Sequence, residues 1–141
     1  MEEGNTVEKL AHIVEDEFLC SIYEEYLVLR FAWENLGFLL DVQRYREIES
    51  YEQRKQLAHV IYDKFLDENA PFELGDIRNE VREALRHRLD EAQPGLFNSL
   101  VKKTSLALAH STILDFIEDP LYKQYQGNYF LNFYLCNYNT N

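Results

Sequence analysis

Proline and glycine are scarce in this chain, at three and five of 141 residues, so little interrupts helical backbone. Cysteine is rarer still. Cys20 and Cys136 form no CxxC pair and no metal-ligand spacing, and Cys20, set among Phe18, Leu19 and Ile22, reads as a buried reduced thiol. A single domain of this length buries a sizeable core without metal or disulfide staples. No apolar run follows Met1-Glu2-Glu3, and no stretch of about 20 apolar residues occurs anywhere, so secretion and membrane spanning find no support. A reducing cytoplasm is the expected compartment.

Positive charge is also short, with 14 Lys and Arg against 25 Asp and Glu. The formal net charge of -11 repels phosphate backbones and anionic lipid, which argues against nucleic acid and against direct membrane binding. No glycine loop of the phosphate-cradling kind is present, so the chain is not expected to bind GTP itself. None of His12, His59, His87 and His110 follows a Glu by three residues, and no His-Glu-x-x-His occurs, so neither metal nor cofactor is expected. Acid pairs such as Glu24-Glu25 are adjacent on a helix and do not converge; they read as solvated faces.

What is abundant is apolar spacing of three and four residues, which predicts an all-α fold. A first helix is expected over about Thr6 to Glu15, and a second carries Phe18, Ile22, Tyr23, Tyr26 and Leu27 to about Leu29. A third opens between Ala32 and Asn35, with Phe38, Val42 and Tyr45 inward and a polar stripe of Glu34, Gly37, Asp41 and Arg44 outward. The rows Leu57, Ile61, Phe65 and Ala58, Tyr62, Leu66 predict a helix ending before Pro71. Asn69 to Gly75 reads as a loop, because Pro71 removes a donor and Gly75 tolerates backbone angles other residues avoid. Asp76 then caps a helix bearing Ile77, Val81 and Leu85, with Arg78, Arg82 and Arg86 on its far side. Pro94 is expected in the first turn of a helix carrying Leu96, Phe97, Leu100 and Val101. Ser111-Thr112 caps a last one carrying Ile113, Phe116 and Ile117. Seven of the 20 aromatic residues fall between Tyr122 and Tyr138, and residues 126–141 read as an aromatic-rich extension that packs as an extra core element or frays, with a partner or self-association surface as the alternative.

The stretch Tyr23-x-x-Tyr26-Leu27-x-x-x-Phe31-x-x-Glu34-Asn35-Leu36-x-Phe38 resembles the pattern of RGS (regulator of G-protein signalling) domains. Further segments follow in that family's order: Ile61 to Leu66, Ala70-Pro71-x-Glu73-Leu74, Arg82-Glu83, Asp90-Glu91-Ala92-Gln93 before Leu96-Phe97, and Asp115-Phe116-Ile117 with Tyr122. Each is weak singly, and the ordered set is specific. The resemblance implies an RGS-like bundle of about nine helices over residues 6–125, with an antiparallel four-helix part near 32–102 and a smaller part joining both chain ends.

The resemblance also implies a partner, the GTP-bound or transition-state form of a Gα subunit, whose GTP hydrolysis the domain accelerates by gripping the switch loops. The domain then supplies no catalytic residue, takes no small-molecule substrate, and reaches membranes only through Gα. Contacts carried over are Glu34 and Asn35, then Gly75 or Asp76 where the family has an Asn, and Ser111, Thr112 and Asp115. At the last of these the family reads Asp-Ser-aromatic-x-Arg-Phe and this chain reads Ser-Thr-Ile-Leu-Asp-Phe, so the hydroxyl survives while the acid and the base do not. A scaffold or Gα-binding module of a larger signalling protein, such as a Rho-family exchange factor, is the alternative that these departures leave open.

Overall fold

The computed structural model describes residues 2–127, so the aromatic extension from residue 128 onward lies outside the described residues. The fold is all-α, with no strand among the described residues. Six α-helices are α1 (Glu2–Glu15), α2 (Glu17–Leu29), α3 (Glu34–Glu47), α4 (Tyr51–Ile61), α5 (Asn79–Arg88) and α6 (Asn98–Glu118). A π-helical turn, Tyr62–Leu66, continues α4, a 3-10 turn, Leu89–Glu91, continues α5, and residues 120–127 are helical again. The chain divides into two compact units, residues 1–32 with the chain from 106 onward, and residues 33–105.

In the first unit Asp16 caps α2, its carboxylate accepting the Leu19 amide at 2.9 Å, and that bond holds the carboxyl below its usual value. The core joins Leu10 and Ile13 of α1, Tyr23, Tyr26 and Leu27 of α2, and Leu108, Ile113 and Phe116 of α6. Tyr23 and Tyr26 lie 4.9 and 5.1 Å from Phe116 between ring centroids. Cys20 is buried, as its apolar neighbours predict.

α2 ends in a paired-bond motif: Phe31 donates to Val28 and Ala32 to Leu27. That geometry puts Phe31 at φ 56, the left-handed region where glycine is at ease and a bulky residue is not. Its ring is 93% exposed and supplies little packing in return. Phe31→Gly is therefore expected to stabilise the protein by about 1 kcal/mol in urea unfolding. A loss of stability would mean that the ring packs against something in solution.

The second unit is built on Phe38, Val42 and Tyr45 of α3, Ala58 and Ile61 of α4, Tyr62, Phe65 and Leu66 of the π turn, and Leu85, Leu89, Leu96 and Phe97. Asp67 donates to Tyr62 across five residues, and this widened turn keeps both four-residue apolar rows on the buried side where an α-helix would drift off it.

Several expectations yield to tertiary contacts. Gly37 and Asp41, expected on a water-facing stripe, are buried: the Trp33 ring lies over Gly37, and Lys64 reaches over from the π turn to place its Nζ 3.3 Å from the Asp41 carboxylate, which Arg44 also holds. Arg82, expected on the outer side of its helix, is also buried: it donates to Leu66 O at 2.6 Å, Asn79 at 2.9 Å and Glu73 at 3.1 Å, closing the end of the π turn. Ile77 precedes α5, whose first turn has no side-chain cap, so Asp76 does not cap it. Pro94 sits in a turn at 94–97 ahead of α6. Ser111 and Thr112 start no helix: they lie inside α6, their hydroxyls bonded back to Leu108 O.

Candidate functional site

α3 begins without a conventional cap. Trp33 stands at the N-cap with helical angles and no side-chain bond to the first turn, while its carbonyl accepts the Gly37 amide at 3.0 Å. Glu34 and Asn35 are thus the first two helical residues, at the positive end of the helix dipole, where an acid is favoured. Both are half-exposed, and within the described residues neither side chain has a hydrogen-bond or ion-pair partner. A carboxylate and an amide held on a rigid first turn, with donors and acceptors unused, form a polar pair ready to meet another molecule.

The same unit carries the loop expected to bear the second contact. Two backbone bonds strap it to the π turn, Phe72 to Lys64 at 3.1 Å and Leu74 to Phe65 at 2.9 Å, and Leu74 is buried. Beyond that strap Gly75 and Asp76 stand exposed. It is Asp76, not Gly75, that takes the left-handed conformation, at φ 61, a region that short polar residues enter most readily after glycine. Its carbonyl accepts Lys103 Nζ at 2.5 Å, which fixes the backbone, and its carboxylate is left without a partner among the described residues. A Cβ added at Gly75 would meet nothing within 4 Å.

Ser111, Thr112 and Asp115 belong to α6 in the other unit. Ser111, Leu114 and Asp115 are all exposed. Thr112 does not reach the surface: its hydroxyl donates to Leu108 O at 2.7 Å and accepts from Tyr23 at 2.5 Å. Burial pushes the Tyr23 hydroxyl far above its ordinary pKa, so it remains a donor to Thr112 throughout the neutral range. Thr112, expected among the contacts, thus has its hydroxyl engaged within its own unit.

Sequence reasoning passed over Trp33, Phe72 and Lys64. The Trp33 ring meets Phe72 edge-on at 5.2 Å between centroids, lies 6.1 Å from Phe65, and has Lys64 Nζ 5.4 Å from its centroid. A signal was present in the chain's one tryptophan standing four residues before a glycine inside a helix.

Among the described residues no group of three or more His, Cys, Asp or Glu could hold a metal ion, and no helix is long and apolar enough to cross a membrane. The family model described as "Regulator of G protein signaling domain" matches residues 9–125. Among curated proteins, "Regulator of G-protein signaling 8" of Danio rerio is 26% identical over 111 residues, covering 79% of this chain and 63% of that protein. "Regulator of G-protein signaling 16" of Rattus norvegicus is 28% identical over 101 residues, covering 72% and 50%, and "Regulator of G-protein signaling 5" of Sus scrofa is 22% identical over 118 residues, covering 84% and 65%. The chain thus spans between half and two thirds of the length of these relatives.

Proposed function

Since the chain belongs to the regulator of G protein signaling domain family, we propose that it binds the switch regions of an activated Gα subunit and accelerates hydrolysis of the GTP held there. The observation that carries this reading is the pair Glu34-Asn35, placed on the first turn of α3 with both side chains partly exposed and unused within the described residues.

Phosphoryl transfer asks little covalent chemistry of a helper protein. The nucleotide site needs its attacking water oriented and its mobile loops fixed where charge develops in the transition state. Side chains fixed in advance on a rigid helix can order such loops without spending the binding energy on their own ordering. Asn35 offers both a donor and an acceptor to a switch backbone, and Glu34 an acceptor. Asp76 extends from a fixed backbone and offers an acceptor only, so it asks for a donor on the partner. Acceleration follows if the grip is tighter on the transition-state arrangement than on either ground state.

The departures at Asp76 and at 111–115 favour a second reading, a Gα-binding module with little activating capacity. Titration separates the two. The activator reading expects binding to Gα carrying GDP and aluminium fluoride to be at least about 100-fold tighter than binding to Gα carrying GDP alone, the lower end of what transition-state mimicry yields. Equal affinity for both forms supports the binding module, and affinity for neither overturns both readings.

A further inference from the structure

The two polar segments of the second unit share one support. The outer ring of Trp33 lies so close over Gly37 that a Cβ there would stand 2.5, 2.6 and 2.8 Å from Cη2, Cζ2 and Cζ3. Only glycine admits the ring in this position. Glycine in a helix interior works against the helix, so its presence at the first full turn of α3 has a packing reason. From that seat the indole reaches the loop through Phe72, three residues before Gly75, and reaches the π turn through Phe65 and Lys64. Lys64 in turn bonds Asp41, one turn beyond Gly37 on α3, so the helix, the π turn and the loop all border the ring.

The backbone leaves this support room to act. α3 starts without a side-chain cap, and beyond Leu74 the loop is held by the Lys103 bond to Asp76 O and by the packing of Ile77 on the core. The Trp33 ring touches both elements and ties the direction of the one to the position of the other. We propose that Trp33 is a positioning residue that holds Glu34-Asn35 and the Asp76 loop in register for Gα, and that position 37 is glycine in order to seat it. This rests on the Gα-binding reading above.

A purely structural aromatic would lower stability without a selective loss of binding. The test measures thermal melting, circular dichroism and affinity for Gα with GDP and aluminium fluoride in the wild type, Gly37→Ala, Trp33→Phe, the Gly37→Ala/Trp33→Phe double variant and Asn35→Ala. Trp33 is the chain's only tryptophan, so the emission of the free domain reports its surroundings directly. Gly37→Ala adds a methyl under the ring while favouring the helix. It is expected to shift the emission to longer wavelength, keep the helical signal, and weaken binding on the order of tenfold, the scale that misplacing a contact group commands. The double variant removes the outer ring atoms that collide with the methyl and should recover most of the affinity.

Wild-type affinity in Gly37→Ala with a shifted emission overturns the positioning role, and an unshifted emission overturns the packing on which it stands. Should Gly37→Ala fail to fold, Trp33→Phe alone decides: it removes ring contacts and adds no atom, and unchanged affinity overturns the proposal. Loss of binding in Asn35→Ala with full binding in the Trp33 and Gly37 variants overturns the positioning role and leaves the Gα reading standing. If the wild type itself binds no Gα, that reading falls and this inference falls with it.

Discussion

Asn35→Ala is expected to weaken binding to Gα carrying GDP and aluminium fluoride by about 10- to 100-fold, the range for truncating a side chain central to an interface. The melting temperature should not change. An Asn near a helix start is ordinarily a cap, and removing a cap costs about 1 kcal/mol of stability. Here the N-cap is Trp33 and Asn35 is the second helical residue, with no bond to the first-turn amides. Alanine is the better helix former, so the helix loses nothing when the amide goes. If the partner's backbone uses both ends of the amide, its removal strands a donor and an acceptor at the interface, and the loss falls wholly on binding. A lowered melting temperature with intact binding would show that Asn35 serves the helix.

The largest effect on stability is expected at Phe97, where Phe97→Ala should cost about 3–5 kcal/mol. Phe97 is fully buried, and its ring meets Phe38 at 6.1 Å and Tyr45 at 5.2 Å, both edge-on. Alanine would leave a cavity bordered by these rings, and Tyr45 cannot move freely to fill it, because its hydroxyl donates to Gln93 O at 2.5 Å. Chemical denaturation measures the loss. A change below about 1 kcal/mol would mean that the second unit can collapse around the gap, which conflicts with a core pinned by aromatic contacts and that hydrogen bond.

The helices were legible wherever one amphipathic face decides the structure. Phe38, Val42 and Tyr45 are all buried on α3, and α2 closes at Leu29, as spacing alone predicts. Spacing failed where a distant side chain overrules local polarity. Asp41 and Arg82 read as surface residues in sequence, and each is buried because charged and carbonyl partners from other elements satisfy it. Ser111-Thr112 reads as a helix start because hydroxyls cap helices, yet the same hydroxyls can bond back to the carbonyl three or four residues earlier, and here they do. Tyr23 then draws Thr112 inward from a unit partner 89 residues away in sequence, a pairing no local pattern announces.

The candidate site divides in the same way. The place of Glu34-Asn35 at a helix start was legible because its signal is local. The loop over Asn69 to Gly75 was legible from Pro71 and Gly75, but the left-handed angle falls at Asp76, whose carbonyl accepts from Lys103 of another element, a partner local pattern does not announce. The support by Trp33 joins residues 33, 37, 64 and 72, and only the folded chain shows that these meet.

Single-turnover hydrolysis of GTP by Gα, with increasing amounts of this domain, separates an activator from a passive binder. The rate constant should climb with domain concentration to a plateau and fall back toward the unassisted value when Asn35→Ala is used at the same folded concentration. A rate that does not change at any concentration, with complex formation verified in the same sample, would contradict the activator reading.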